Sequence, residues 1–134
     1  MGSFADYLED EVLDHVFGAA AFTAPATIYF ALSTTAISDD GTGMTEPAAG
    51  AYARKAMANN KTTWATSSGG SLANAATVTF VTATASWGTI SHFAIMDAAA
   101  SGNMLVHGAL TSSKAVSSGD TAKFSAGDFT ITLS

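Results

Sequence analysis

At 134 residues, with 11 Asp+Glu against 5 Lys+Arg and a formal net charge of −6, the chain is one domain long and has too few bases for the positive footprint of a nucleic-acid binder. It has no cysteine, which excludes disulfides, thiolate zinc sites and thiol nucleophiles; no apolar run reaches the ~18–20 residues that span a bilayer, and the acidic start lacks the basic opening of a signal peptide. Only 12% of residues are charged while 48% are hydrophobic, so the chain is too apolar for disorder and its surface must be built largely from Ala, Thr, Ser and Gly. Such a neutral, small-grained surface suits packing against other protein better than life as a dilute monomer.

Residues 3–17, SFADYLEDEVLDHVF, predict an amphipathic helix. Phe4, Leu8, Val12 and Val16 recur every fourth position with Leu13 and Phe17 beside them, Ser3 is the expected cap with Asp6 three residues on, and Gly18 is the stop. Five of the eleven acids, Asp6, Glu9, Asp10, Glu11 and Asp14, lie here without a Lys or Arg, so the acidity belongs to this one element. Beyond Gly18 the apolar period falls from 3.6 to 2. Strands are expected at 26–33, 51–58, 61–66, 76–82, 88–97, 103–111, 120–126 and 128–133. Residues 88–97 alternate less cleanly, as a strand covered on both faces does. Ala100-Ser101-Gly102 and Ala126-Gly127-Asp128 read as tight turns, and residues 34–50 and 67–75 as loops. The expected fold is mainly β: an N-terminal acidic helix (1–18), then a β domain (19–134) of seven or eight antiparallel strands forming a sandwich or barrel, the whole a single globular unit.

Chemistry is sparse. His92 and His107 fall in adjacent expected strands, but with Asp97 they have no ligand spacing that calls for a metal, and His15 lies apart on the helix. Asp39-Asp40-Gly41-Thr42-Gly43 lacks the alternating ligands and final Glu of a calcium loop and reads as a turn. Neither a nucleophile elbow nor a phosphate loop occurs, and Glu9, Asp10 and Glu11 point apart on a helix. No catalytic residue, metal or cofactor is expected, and the chain is not expected to be an enzyme. The residues expected at an interface are Asp6, Glu9, Asp10 and Asp14 on the helix, Arg54 and Lys55 as bases that could meet them in this chain or a neighbouring copy, and Trp64 on a recognition rim. Trp64 or Trp87 could also serve as a sugar platform, although anchoring the core edge is the more economical role for Trp87.

Taken together, SFADYLEDEVLDHVFG, APATIYFALSTT, GAYARKA, ATVTFVTATASWGTISHFAIMDAAASGNMLVHGAL and GDTAKFSAGDFTITL resemble a group of small tailed-phage virion proteins, over most of residues 3–133. The resemblance implies a structural part of the virion. The first expectation is a capsid decoration or cement protein bridging capsomers. The alternative is a tail or tail-fibre component with a host-surface role, and a carbohydrate-binding β-sandwich is a further alternative. The partners implied are copies of the chain itself, as a homotrimer or other homo-oligomer, and the major capsid protein or other virion proteins, with no nucleic acid and no membrane.

Overall fold

Alternating β-branched and aromatic residues fit a pleated, half-buried surface, and every regular element after Gly18 is a strand. The computed structural model describes residues 1–133. In chain order its elements are β1 (Gly2–Phe4), α1 (Asp6–Phe17), β2 (Thr27–Ser33), β3 (Lys55–Ala58), β4 (Ser71–Ala73), β5 (Val78–Thr79), β6 (Gly88–Met96), β7 (Met104–Val116), β8 (Lys123–Phe124) and β9 (Thr130–Thr132). Seven strands form one curled sheet, a half-barrel, in the order β3-β2-β6-β7-β1-β9-β4, while β5 and β8 pair separately.

The expected mainly β architecture with one N-terminal helix is observed. Its details depart from the expectation in several places, and the strands expected at 51–58, 76–82 and 120–126 are shorter, as β3, β5 and β8. Gly2–Phe4 is a strand and not the first turn of the helix; it pairs antiparallel with β7 and parallel with β9. A parallel pair ordinarily needs a long crossover, and here nearly the whole chain separates the two strands. Residues 71–73, expected in a loop, form β4 along β9. Residues 61–66 make a turn held by an isolated bridge from Trp64 to Asn74. Lastly, β7 runs five residues beyond the expected end, with an irregularity: Ile90 pairs with Lys114 and His92 with Ala109, so Leu110–Ser113 bulge out opposite Ser91 alone.

Two faces of the sheet are covered. The concave face holds the main core, where Phe30, Phe93 and Phe129 are fully buried. Phe129 stands edge-on to Phe30, Phe93 and Phe124 at 5.1, 4.4 and 5.5 Å, the T-shaped geometry that adds about 0.5–1.5 kcal/mol per pair beyond burial. The convex face of β2 and β6 carries Ala31, Ala94 and Met96 under Ile37, Met104 and Ala5. Phe93, Ala94, Ile95 and Met96 are therefore all buried, as the imperfect alternation of 88–97 predicts. The ring of Phe93 lies over Gly108 and Gly2, which face each other across β7 and β1. A Cβ on either glycine would stand only 2.9–3.0 Å from Phe93 Cζ, so this approach requires glycine in both strands.

Helix α1 is held at its start by the sheet. Ser3, the expected cap, sits in β1 opposite His107, and the N-cap position is Ala5, which has no capping side chain. Main-chain carbonyls take over that role: Ala5 N–H donates to Leu105 O at 2.9 Å and Asp6 N–H to Asp39 O at 3.0 Å. The helix stops at Gly18 as expected, but the left-handed residue is Ala19, at φ 61°.

Candidate interaction surfaces

The long loop 34–50 is tied down by a buried polar network. Ser33 Oγ donates to Thr35 O at 2.8 Å and accepts from Thr45 N–H at 3.0 Å, closing the base of the loop. At its far end Glu46 accepts from Tyr52 Oη at 2.7 Å, from Arg54 Nε at 3.0 Å and from Arg54 Nη2 at 2.9 Å. Arg54 Nη1 donates to Ala98 O and Ser101 O, both at 2.8 Å, and Tyr52 Oη accepts from Leu32 N–H at 3.0 Å. Loop 34–50, β2, the approach to β3 and the β6–β7 turn thus share one fork of charge-assisted bonds. Burial acts against the charge on Glu46, but the hydrogen bonds from Arg54 and Tyr52 and the charge of Arg54 outweigh it and hold the carboxyl below its ordinary value. Burial pushes the Tyr52 hydroxyl well up, so it stays a proton donor.

Arg54, one of the two bases expected to be able to meet the acidic helix of this chain or of a neighbouring copy, has 6% of its side chain exposed and all its bonds directed inward. A planar guanidinium with several donors satisfies two carbonyls and a carboxylate at once, which explains its burial. Trp64 likewise does not stand on a rim. It is 7% exposed, packs against Phe30 and Phe129, and donates from Nε1 to Asn59 Oδ1 at 3.0 Å. Trp87 is 3% exposed, with Nε1 donating to Gly50 O at 2.9 Å, so neither indole offers a face to a sugar. Trp87 anchors the core edge as anticipated. Lys55 is half-buried on β3 opposite Phe30.

The histidines are also accounted for locally. His107 Nε2 lies 2.6 Å from Asp39 Oδ1, His92 Nδ1 lies 2.8 Å from Ser91 Oγ, and His15 Nδ1 accepts from Phe22 N–H at 3.0 Å. His92 and His107 are diagonal neighbours, since Ala94 pairs with His107 and His92 with Ala109. Among the described residues no group of three or more His, Cys, Asp or Glu could hold a metal ion. The Asp39–Gly43 segment is a turn, in which Asp40 Oδ1 accepts from the N–H and Oγ1 of Thr42 at 2.9 and 2.7 Å. Those hydrogen bonds lower the Asp40 carboxyl.

Asn74 is a structural anchor that the sequence does not advertise. It is 2% exposed; Oδ1 accepts from Gly127 N–H and Phe129 N–H at 3.1 and 2.9 Å, and Nδ2 donates to Ala76 O and Ser125 O, both at 2.9 Å. All four polar valences of one side chain thereby fasten the start of β9 to the region after β4.

With these groups turned inward, two surfaces remain. The first is α1. Tyr7, Leu8, Glu11 and Val12 are half-buried, but Leu13, Val16 and Phe17 are 55%, 59% and 83% exposed. The helix has no fully buried residue, and among the described residues none of Asp6, Glu9, Asp10 and Asp14 forms an ion pair. The second is a groove of about 670 Å³ between the bulged part of β7 and residues 120–125. Leu110 and Phe124 wall it, Ile90 and Val116 floor it, and the exposed Lys114 and Lys123 line it.

Compared with known protein families, residues 3–132 match the family described as Podophage GP4 fiber I protein gp80. No curated protein matches the chain.

Proposed function

The chain belongs to the podophage GP4 fiber I protein family, a family of phage virion structural proteins, and on that footing we propose that it is a fibre-associated building block that acts by assembly and not by catalysis. The match over residues 3–132 carries this reading, because it covers the helix and every strand except the first residue of β1. Of the two virion placements expected from the sequence, it favours the fibre over shell decoration. The inward-turned polar groups support a structural role: Arg54, Glu46, Tyr52 and Asn74 brace the fold. The partners are further copies of the chain and neighbouring virion proteins. A neutral body with an exposed apolar helix end suits them, because assembly buries what a monomer leaves in water.

Copy number tests this directly. Quantitative mass spectrometry of purified particles, with immunogold labelling, should place the protein on fibres at about three, six or twelve copies, the small multiples set by cyclic symmetry. Hundreds of copies spread over the shell would return the protein to decoration.

A further inference from the structure

The apolar stripe of α1 has a partner within its own chain only over its first two turns; the last turns run past the body and leave Leu13, Val16 and Phe17 in water. At ~100° per residue, Leu13 and Phe17 lie on the side away from Tyr7, Leu8 and Val12, bordered by Asp10, while Val16 continues the Leu8–Val12 stripe one turn further, where the helix end has run past the body and every residue is exposed. An apolar helix end left uncovered by its own body is suited to a second neighbour.

The groove on β7 has the matching chemistry. Its apolar wall is Leu110 and Phe124, and it holds two of the chain's five bases, Lys114 and Lys123, neither of which forms an ion pair among the described residues. Asp120 and Asp128 also line it, but each turns one carboxylate oxygen to a backbone N–H, of Ser117 at 2.8 Å and of Ser125 at 3.1 Å. Both aspartates keep their charge, but neither forms an ion pair with Lys114 or Lys123 among the described residues, so the two ammonium groups are left to meet other carboxylates. No residue of α1 lines this groove in its own chain. The helix leaves the sheet beside Leu105, whereas Lys114 lies beyond the bulge of β7, about six residues away by the register on β6 and so on the order of 20 Å distant.

We propose that the end of α1 docks in the Leu110–Phe124 groove of a second copy, with Leu13, Val16 and Phe17 against the apolar wall and Asp10 and Asp14 toward Lys114 and Lys123. The occupant is therefore another molecule of this chain. Repeated between copies, the contact closes by reciprocal exchange or as a ring. It deepens the fibre-component reading by naming the surfaces through which copies join, and rests on that reading for its place in the virion.

The absence of native cysteine makes the test clean. In the full chain carrying F17C and T111C, oxidation should give intermolecular disulfides that close dimers or larger rings on a non-reducing gel, because bridged Cα atoms must lie within ~7 Å. The F17C chain alone should stay monomeric or form only dimers bridged symmetrically through that one introduced thiol. In light scattering, F17D should raise the dissociation constant of the assembly by about 30-fold, the scale of losing one interface anchor. K114E/K123E should weaken it as well, and combining that change with D10K/D14K should recover most of the loss. Thermal melts taken at a dilution where all the chains are monomeric should coincide, because these exposed positions act on assembly alone. A wild-type chain that is monomeric at about 100 μM, or an assembly indifferent to both F17D and the charge reversals, overturns the contact. Particles carrying hundreds of copies on the shell would sink the fibre reading without touching the cross-link result, so the two failures are distinguishable.

Discussion

Replacing Arg54 by Met should destabilise the fold without first affecting assembly. The change removes four hydrogen bonds: two to Glu46, one to Ala98 O and one to Ser101 O. It also strands the Glu46 carboxylate, whose side chain is 24% exposed and keeps Tyr52 as a donor. Removing one partner of a buried pair costs about 3–5 kcal/mol, and the access of Glu46 to water places this case near the lower end, at about 3 kcal/mol. An unfolding entropy of ~2.1 cal/mol/K per residue, taken over this chain, gives about 0.28 kcal/mol/K, so the melting temperature should fall by about 10 °C. Calorimetry at one fixed protein concentration measures this, since assembly makes the midpoint concentration-dependent. R54K, which keeps the charge but loses the fork, should lie between the two. A double-mutant cycle with E46Q should return about 1–2 kcal/mol of coupling. If R54M melts within about 2 °C of the wild type, or the cycle shows no coupling, the loop is not held by this network.

Asn74→Ala removes four side-chain hydrogen bonds; Gly127 N–H keeps the backbone carbonyl of residue 74 and Ser125 O keeps Asp128 N–H, but Phe129 N–H and Ala76 O lose the Asn74 amide, so urea unfolding should show a loss of about 2–4 kcal/mol at the usual ~1 kcal/mol per bond. Because the Glu46 carboxyl lies below its ordinary value when folded, it contributes stability above the ordinary glutamate range and loses it as the pH falls through that range toward the folded value. The gap in melting temperature between wild type and E46Q should therefore close on acidification from neutral pH; a constant gap would refute the assignment. Trp64→Ala should cost about 3–5 kcal/mol in denaturant unfolding, as expected of a buried aromatic, and not act as loss of a surface residue. Ala19→Gly relieves a left-handed alanine and should raise stability by about 1 kcal/mol, read as a small rise in melting temperature.

Local pattern alone determined a good deal of this protein. The alternation in Ile28, Phe30 and Leu32, the continuous apolar run through Phe93–Met96 and the stop at Gly18 announced strands, a doubly covered strand and a helix end, because each depends on neighbours close in sequence. The Ala126-Gly127-Asp128 turn is legible for the same reason: Asp128 accepts from Ser125 N–H three residues back. Tertiary structure decided whatever depends on partners far along the chain. Glycine and serine at positions 2 and 3 have weak strand preference, and only a slot between β7 and β9 makes them a strand. Nothing near Asn74 signals that it will meet Phe129, and nothing in loop 34–50 signals that Glu46 will draw Arg54 inward. The helix stripe shows the limit most clearly. Periodicity identified Leu8, Val12, Leu13, Val16 and Phe17 as apolar, but only the end of the sheet determines which of them face the body and which stay in water, because a helix is amphipathic toward whatever stands beside it.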